Sequence, residues 1–401
     1  MTRFEAAAWL TAPSTLAVLD ALEAAGGAGC VRVVGGAVRN ALMGRPVEDV
    51  DLATTLRPDQ VIAALETAGL KAVPTGLAHG TVTAVSGGRG FEVTTLRRDV
   101  ATDGRHAVVT FTDDWAEDAA RRDFRLNALY VDREGRVFDP TGEGVADALA
   151  GRVVFVGDPA RRITEDYLRI LRFFRFSAWH GTGVPDPVGL AACAAGRGGL
   201  ARLSAERVSK ELMKLLSAPD PRAAVSAMDE TGVLALVLPE AVVDRRFMRL
   251  TGMSDDALLR LAALLPDDPQ SSAAVAARLR LSNAQRDRLV AVTDLSVAVG
   301  PELVPASMRA ALYRLGRETV RDRLTLAEAT LGPVPAELQA MVEHWPIPRL
   351  PVGGADLARL GIPPGPATGE ILRAFEAAWI ADDFPADGHE VRLRQLIEAA
   401  R

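Results

Sequence analysis

The spacing of hydrophobic positions changes character near residue 158, and the change predicts two architectures in one chain. Before it, residues 15–26 place apolar side chains every three or four positions, as an amphipathic helix does. Residues 31–34 form a short apolar strand that runs through Gly35 and Gly36 into a helix over 37–43. Residues 47–53 read as the next strand, 58–68 as a helix, and 81–96 as two alternating strands around a glycine turn. These segments predict a mixed sheet with helices that closes near residue 150. After it, glycines and β-branched runs thin out and a helical period continues to the C-terminus. The expected class is α+β, an α/β head over residues 1–150 followed by an all-helical remainder. Breaks in the helical part fall near 217–221 and 266–269, and a stretch rich in proline and glycine spans 346–369 before a last helix. The sequence has no internal repeat of fixed period.

Composition narrows this picture without changing it. At 401 residues the chain exceeds one ordinary core, and with 48% hydrophobic and 24% charged residues it falls among globular rather than disordered proteins. Two cysteines, Cys30 and Cys193, stand far apart with no Cys/His spacing suited to structural zinc, which fits a reducing, cytoplasmic setting. The N-terminal segment carries acids and a proline where a secretory signal needs a continuous apolar run. No long apolar stretch follows, so a soluble protein without a membrane span is expected. A formal charge of −6, from 46 basic and 52 acidic residues, is not that of a general nucleic-acid binder. Charge is uneven, however: between Arg152 and Lys214 eleven Lys/Arg face six Asp/Glu. Such a stretch is either a set of solvated helix faces or a surface for a polyanion.

The candidate chemistry begins in EDVDLAT (48–54). Strand alternation puts Asp49 and Asp51 on one side, roughly 7 Å apart along the backbone. Two carboxylates on a half-buried strand are costly without a positive partner, and Mg²⁺ is the hard, oxygen-seeking ion that suits them. Glu92, in the expected hairpin, is a third candidate carboxylate. The aspartates alone also read as a strand end that pairs with arginines or caps a turn. Upstream, Gly35 and Gly36 let the backbone approach a ligand closely, the following helix offers free N–H groups, and Arg39 adds a charge. A phosphate cradle and an acid pair on successive elements point to a nucleoside triphosphate.

Further along, RRDFRLNAL (121–129) offers Arg122 to a phosphate or sugar, and Asp123 and Asn127 to ribose hydroxyls, although RRD alone is an ordinary surface ion cluster. The segment EDYLRILRFFRF (165–176) reads as one helix whose core stripe is Tyr167, Leu171, Phe174 and Ala178. Glu165, Arg169 and Arg172 fall on another side with Asp166 beside them. Glu165 and Arg169 make a common i,i+4 pair. Asp166 and Arg169 together do more: a carboxylate accepts from an exocyclic amine while a guanidinium donates to a ring nitrogen or carbonyl. Cytosine and adenine fit that pattern; uracil and guanine do not.

GGAVRN (35–40), EDVDLAT, RRDFRLNAL and EDYLRILRFFRF resemble, in order and spacing, the motifs of the bacterial class II polymerase-β-like nucleotidyltransferases, specifically the CCA-adding tRNA nucleotidyltransferases. Bacterial poly(A) polymerases are close relatives. The likeness covers residues 30–216, weakens through the helical middle and returns in GADLARLGIPPGPATGEIL (354–372). It implies a head (1–150), neck (151–217), body (218–335) and tail (336–401) in a curved line, with tRNA along a basic inner side. It also implies that Asp49 and Asp51 hold Mg²⁺, that Gly36 and Arg39 meet the triphosphate, and that Arg122 binds the nucleotide. Asp166 and Arg169 would read the base, Arg172 and Arg175 would add nucleotide contacts, and the loop 97–106 would take part in switching from CTP to ATP. The implied reaction adds CMP and AMP to the 3′ end of tRNA without a template, using two Mg²⁺ ions.

Asn40 departs from the family's usual Asp and leaves a neutral acceptor for Arg39, and Arg125 replaces a customary threonine. None of the five histidines, His79, His106, His180, His344 and His389, is followed by Asp, so the metal phosphohydrolase domain of some relatives is not apparent. Competing readings are a poly(A) polymerase, an enzyme adding only C or only A, and a non-catalytic tRNA-binding protein. Nothing in the sequence sets an oligomeric state.

Overall fold

A computed structural model describes residues 2–5, 7–103 and 106–399, and the chain divides into two compact units, Met1–Ala241 and Val242–Arg401. The first unit carries strands β1 (Val31–Val34), β2 (Asp51–Thr54), β3 (Lys71–Gly76), β4 (Thr81–Ser86), β5 (Arg89–Thr95), β6 (Arg97–Asp103), β7 (His106–Phe111), β8 (Tyr130–Val131) and β9 (Val137–Phe138). Seven of them form one mixed sheet in the order β3-β4-β5-β2-β1-β8-β9, and β6 pairs with β7 alone. Helices Pro13–Gly26 and Pro58–Thr67 pack on each other beside this sheet. The β4–β5 hairpin turns on Gly87 and Gly88, both at positive φ (57° and 75°), the pair of left-handed conformations that matches the twist of paired strands. In β1 every residue but Arg32 is buried, and its guanidinium lies 4.1 Å from the Trp115 ring and 3.8 Å from that of Phe138.

Three local expectations change. The strand read over 47–53 begins only at Asp51, because its partner β1 ends opposite at Val34 and the chain turns away at Gly35. Asp49 therefore precedes the strand. The single helix read over 165–176 is two, Pro159–Glu165 and Leu168–His180. Asp166 between them is extended (φ −152°, ψ 108°), and its Oδ1 accepts from the Leu168 N–H at 3.0 Å, starting a new helix as a capping carboxylate does. The segment 97–106 is mostly the β6–β7 hairpin; its residues 104 and 105 lie outside the described residues.

Helix Leu168–His180 is buried on more than one face. Ile170, Phe173 and Phe174 are all shielded, while Tyr167 and Ala178 are half-buried, because the helix packs on Ala205–Leu216 and Arg222–Glu230 as well as on the head segment. Its Phe173 stacks on Phe155 with ring centroids 5.4 Å apart, and Phe124 lies 5.0 Å from Phe155 and 5.1 Å from Phe176. This aromatic cluster fixes the RRDF segment, and with it the arginines described below, against the helix.

The second unit has no strand among its described residues. It holds two apolar clusters, one around Met308, Leu312, Val320 and Leu338, the other around Leu357, Phe375, Trp379 and Leu393. Among the described residues no helix is long and apolar enough to cross a membrane.

Phe173 is fully buried. Phe173→Ala is expected to lower unfolding free energy by about 3–5 kcal/mol, read by chemical denaturation of the N-terminal unit's transition; a loss below about 1 kcal/mol would show that the cluster does not bind helix to head.

Candidate active site

Asp51 lies opposite Val34 in the β1–β2 ladder and one step before the parallel Leu52↔Val93 pair, so the register sets it beside Glu92. Thr94, two residues on from Glu92, and Thr81 opposite it continue the same wall, with hydroxyls 3.1 Å apart. Asp51 and Glu92 line a cleft of about 480 Å³ together with Gly35, Gly36, Arg39, Arg122, Asp123, Asn127 and Arg172. Asp49 is exposed just upstream, separated from Asp51 by buried Val50. The protein crowded around the Asp51 carboxyl raises it to about 6, and Glu92 and then Asp49 push the same way against Arg122. Asp51 keeps contact with solvent, so the shift reflects its place in a cleft rather than deep burial.

The sheet thus assembles anionic oxygens whose repulsion the protein leaves uncancelled. Such donors fit a hard divalent cation. They form no complete cage: among the described residues no three His, Cys, Asp or Glu are gathered to hold an ion unaided. Asp49 and Asp51 with phosphate oxygens and water would give the usual surroundings of Mg²⁺.

The opposite wall is cationic. Gly35, at φ 72° and ψ −117°, turns the chain from β1 into helix Gly36–Leu42, a conformation that side chains resist. Arg39 donates through Nη1 to Asn127 Oδ1 (2.6 Å) and through Nε and Nη2 to Asn40 Oδ1 (3.1 and 2.8 Å). Burial lowers its pKa to about 10 against the pull of Asp123, so it stays charged, and these two partners are neutral amides. Asn40 is the neutral acceptor expected of it. Arg172 donates to Asp123 Oδ2 through Nε (2.9 Å). Burial alone would push the Asp123 carboxyl up, but Arg172, with the Asn127 amide and the Phe124 N–H, holds it below the usual range.

Arg175 is bonded to Glu211 and does not line the cleft. The Phe176 ring lies 5.5 Å from Arg39, 5.3 Å from Arg172 and 4.3 Å from Arg175, giving gathered guanidiniums an aromatic face. Burial, with Arg39 and Arg45 nearby, drives His180 down to about 2 and keeps it neutral beside them.

Asp166 and Arg169 are held by separate partners and do not line the cleft. Asp166 Oδ2 accepts from Arg207 Nη2 at 2.7 Å. Arg169 Nη1 donates to Glu165 Oε2 (2.6 Å) and to the Arg162 carbonyl (2.7 Å), so the ordinary i,i+4 pair is present. Arg161 and Arg162 also converge on Glu165, and much of the basic excess over 152–214 is spent in such pairs. Arg125 pairs with Glu143, with Asp147 at 3.7 Å, away from the cleft.

Sequence reasoning passed over His79, Thr81, Thr94 and Arg121 as site residues, and these also line the cleft, as does Arg97 from the segment expected to take part in nucleotide switching. Strand alternation puts Thr94 on the same face as Glu92, a signal that could have found it. Buried Asp118, bonded to both Arg121 and Arg122, stands three and four residues before them, a spacing that helix geometry makes a contact.

Residues 31–154 match the family model described as "Poly A polymerase head domain", and residues 186–244 match "Probable RNA and SrmB- binding site of polymerase A". The chain is 34% identical over 377 residues to CCA tRNA nucleotidyltransferase 1, mitochondrial, of Mus musculus, covering 90% of this chain and 85% of that protein. It is 30% identical over 401 residues to a CCA-adding enzyme of Lacticaseibacillus paracasei, covering 96% and 95%. Among solved structures it is similar to the Bacillus stearothermophilus CCA-adding enzyme in complex with CTP, with a TM-score of 0.77, 28% identity and 97% of each chain covered. Head, cleft and helical remainder define a nucleotidyltransferase. The chain belongs to the family of CCA-adding enzymes, tRNA nucleotidyltransferases that use divalent metal ions.

A carboxyl raised in the folded state favours folding as pH falls through its folded pKa, here about 6. Asp51→Asn is therefore expected to raise the melting temperature of the metal-free protein at pH 7.5 and to lose most of that advantage only near pH 4, where the unfolded carboxyl also takes up its proton. Added Mg²⁺ should stabilise the unmodified chain at pH 7.5 and not the variant. An equal gain at both pH values would contradict the electrostatic account.

Proposed function

We propose that this enzyme adds CMP and AMP, from CTP and ATP, to the 3′ end of tRNA, with Mg²⁺ as its metal ion and no nucleic-acid template. The observation that carries the reading is the division of charge across one cleft, with Asp51 and Glu92 on one wall and Arg39, Arg122 and Arg172 on the other. That division suits a triphosphate carried with its metal. The names of the relatives and the CTP bound in the solved relative support the substrates.

Asp49 and Asp51 would hold Mg²⁺, with Glu92 adding negative charge beside them. The chemistry supplied by the bound ion is activation of the tRNA 3′-hydroxyl and neutralisation of pyrophosphate as it leaves. Gly35 and Gly36 leave room for phosphates against the main chain, where Arg39 offers a charge bonded to neutral amides. Arg122 presents its Nη1 toward the same turn. Asp123 and Asn127 are placed for the ribose, and Arg172 aligns Asp123. Arg175 supports Arg172 through their shared Phe176 ring.

Asp166 and Arg169 read the base on this proposal. Each Asp166 oxygen has one bond, to Leu168 or to Arg207, and a carboxylate oxygen has a second lone pair for an exocyclic amine. The division into head (1–150), neck (151–217), body (218–335) and tRNA-contacting tail (336–401) belongs to the same reading. So does a cytoplasmic setting, supported by the free, buried thiols of Cys30 and Cys193.

The test is incubation with tRNA lacking its terminal CCA, Mg²⁺ and each labelled nucleotide singly. CTP alone should extend the tRNA by C, and ATP should then complete it; an enzyme that adds only A would be a poly(A) polymerase or an A-adding enzyme. Asp49→Ala and Asp51→Ala should each abolish addition of both nucleotides without lowering the melting temperature. Asp166→Ala and Arg169→Ala should mainly admit UTP and GTP, and an unaltered preference for CTP and ATP in both would remove them from base recognition.

A further inference from the structure

Helix Trp115–Ala120 turns one carboxylate, Asp118, into the protein, where 1% of the residue is exposed. Its Oδ1 accepts from Nε and Nη2 of Arg121 (2.8 and 2.6 Å) and from the backbone N–H of Arg97 (3.3 Å). Its Oδ2 accepts from Nε and Nη2 of Arg122 (3.2 and 3.0 Å) and from the Tyr130 hydroxyl (2.7 Å). Both guanidiniums are gripped by the same edge, a forked geometry that fixes plane and direction. The remaining Nη1 of Arg122 lies 3.7 Å from where a side chain on Gly35 would begin.

The main chain is held too. Arg162 Nη2 donates to the carbonyl oxygens of Arg122 (2.7 Å) and Arg121. One aspartate cannot neutralise two guanidiniums, so the pair keeps a net positive charge on the cleft wall it lines. Burial alone would push the Asp118 carboxyl up, but Arg122 and Arg121, with the Tyr130 hydroxyl, hold it below the usual range, and it stays ionised at working pH. Burial keeps that hydroxyl protonated, so it donates to Asp118.

We propose that Asp118 is a positioning residue: it holds Arg121 and Arg122 as a preorganised double guanidinium that receives the phosphates of the incoming nucleoside triphosphate at the Gly35 turn. The inference rests on the reading of Arg122 as nucleotide-binding. Because two long side chains are ordered before the nucleotide arrives, binding does not bear the entropy of ordering them.

Asp118→Asn keeps the size and loses the charge. It is expected to raise KM for both CTP and ATP about tenfold, with a much smaller change in kcat. Adding it to Arg122→Ala should cause little further rise, because a residue acting through Arg122 has nothing left to position. Tyr130→Phe, a milder change that removes one donor from Asp118, should raise KM about two- to threefold, again only when Arg122 is present. A rise in KM for Arg122→Ala with none for Asp118→Asn or Tyr130→Phe overturns the positioning role and leaves Arg122 in place. No rise for Arg122→Ala overturns the reading beneath it. A uniform fall in kcat with a lowered melting temperature, independent of Arg122, makes Asp118 purely structural and also overturns the proposal.

Discussion

The repulsion between Asp51 and Glu92, held side by side by the parallel pairing of β2 with β5, is the constraint on which the cleft depends. A sheet gains nothing from adjacent carboxylates, and cross-strand like charges destabilise. Yet the register cannot slip to relieve it. A one-residue shift would bring Asp51 to the face where Leu52 and Val93 are fully buried and expose those apolar side chains instead. The hydrophobic face of β2 therefore enforces the acid cluster on the other side, and the proposed Mg²⁺ would relieve the charge.

The opposite wall solves the reverse problem, holding several guanidiniums together, by two different means. Arg122 and Arg172 are aimed by the carboxylates of Asp118 and Asp123, which trade some of their charge for a fixed direction. Arg39 is aimed by the amides of Asn40 and Asn127 and keeps its charge. The aromatic cluster of Phe124, Phe155, Phe173 and Phe176 keeps both arrangements in register, since it ties the RRDF segment to the helix that supplies Arg172. Packing and electrostatics are coupled here: helix Leu168–His180, buried on more than one face, sets the position of charges beside the sheet.

Elements whose signal is local were legible from the sequence. The strand at 31–34 and the helix at 58–68 match Val31–Val34 and Pro58–Thr67, because apolar periodicity and a proline at the helix start need no distant partner. Strand alternation put Asp49 and Asp51 on one face, but only Asp51 lies in β2. What the sequence could not show is set by partners far along the chain. The start of β2 at Asp51 follows from the end of β1, and the break at Asp166 from its capping bond and from Arg207, 41 residues away. β3 was missed because KAVPTG lies at the sheet edge, mostly unburied, where lysine and proline are tolerated and no alternation appears. Asp118 was missed although its spacing to Arg121 and Arg122 was in plain view, since helix pairs of that kind are usually exposed and this one is buried.

A divalent cation that arrives with the nucleotide, held by Asp51 at the start of β2 and by Asp49 just upstream, is the proposal on which the rest turns. Its most direct test is anomalous scattering from crystals of the protein soaked with Mn²⁺ and a non-hydrolysable CTP analogue. The expected result is a manganese peak bonded to Asp49 and Asp51, with the triphosphate between it and the turn at Gly35 and Gly36. A nucleotide bound in the cleft with manganese away from both aspartates would contradict it.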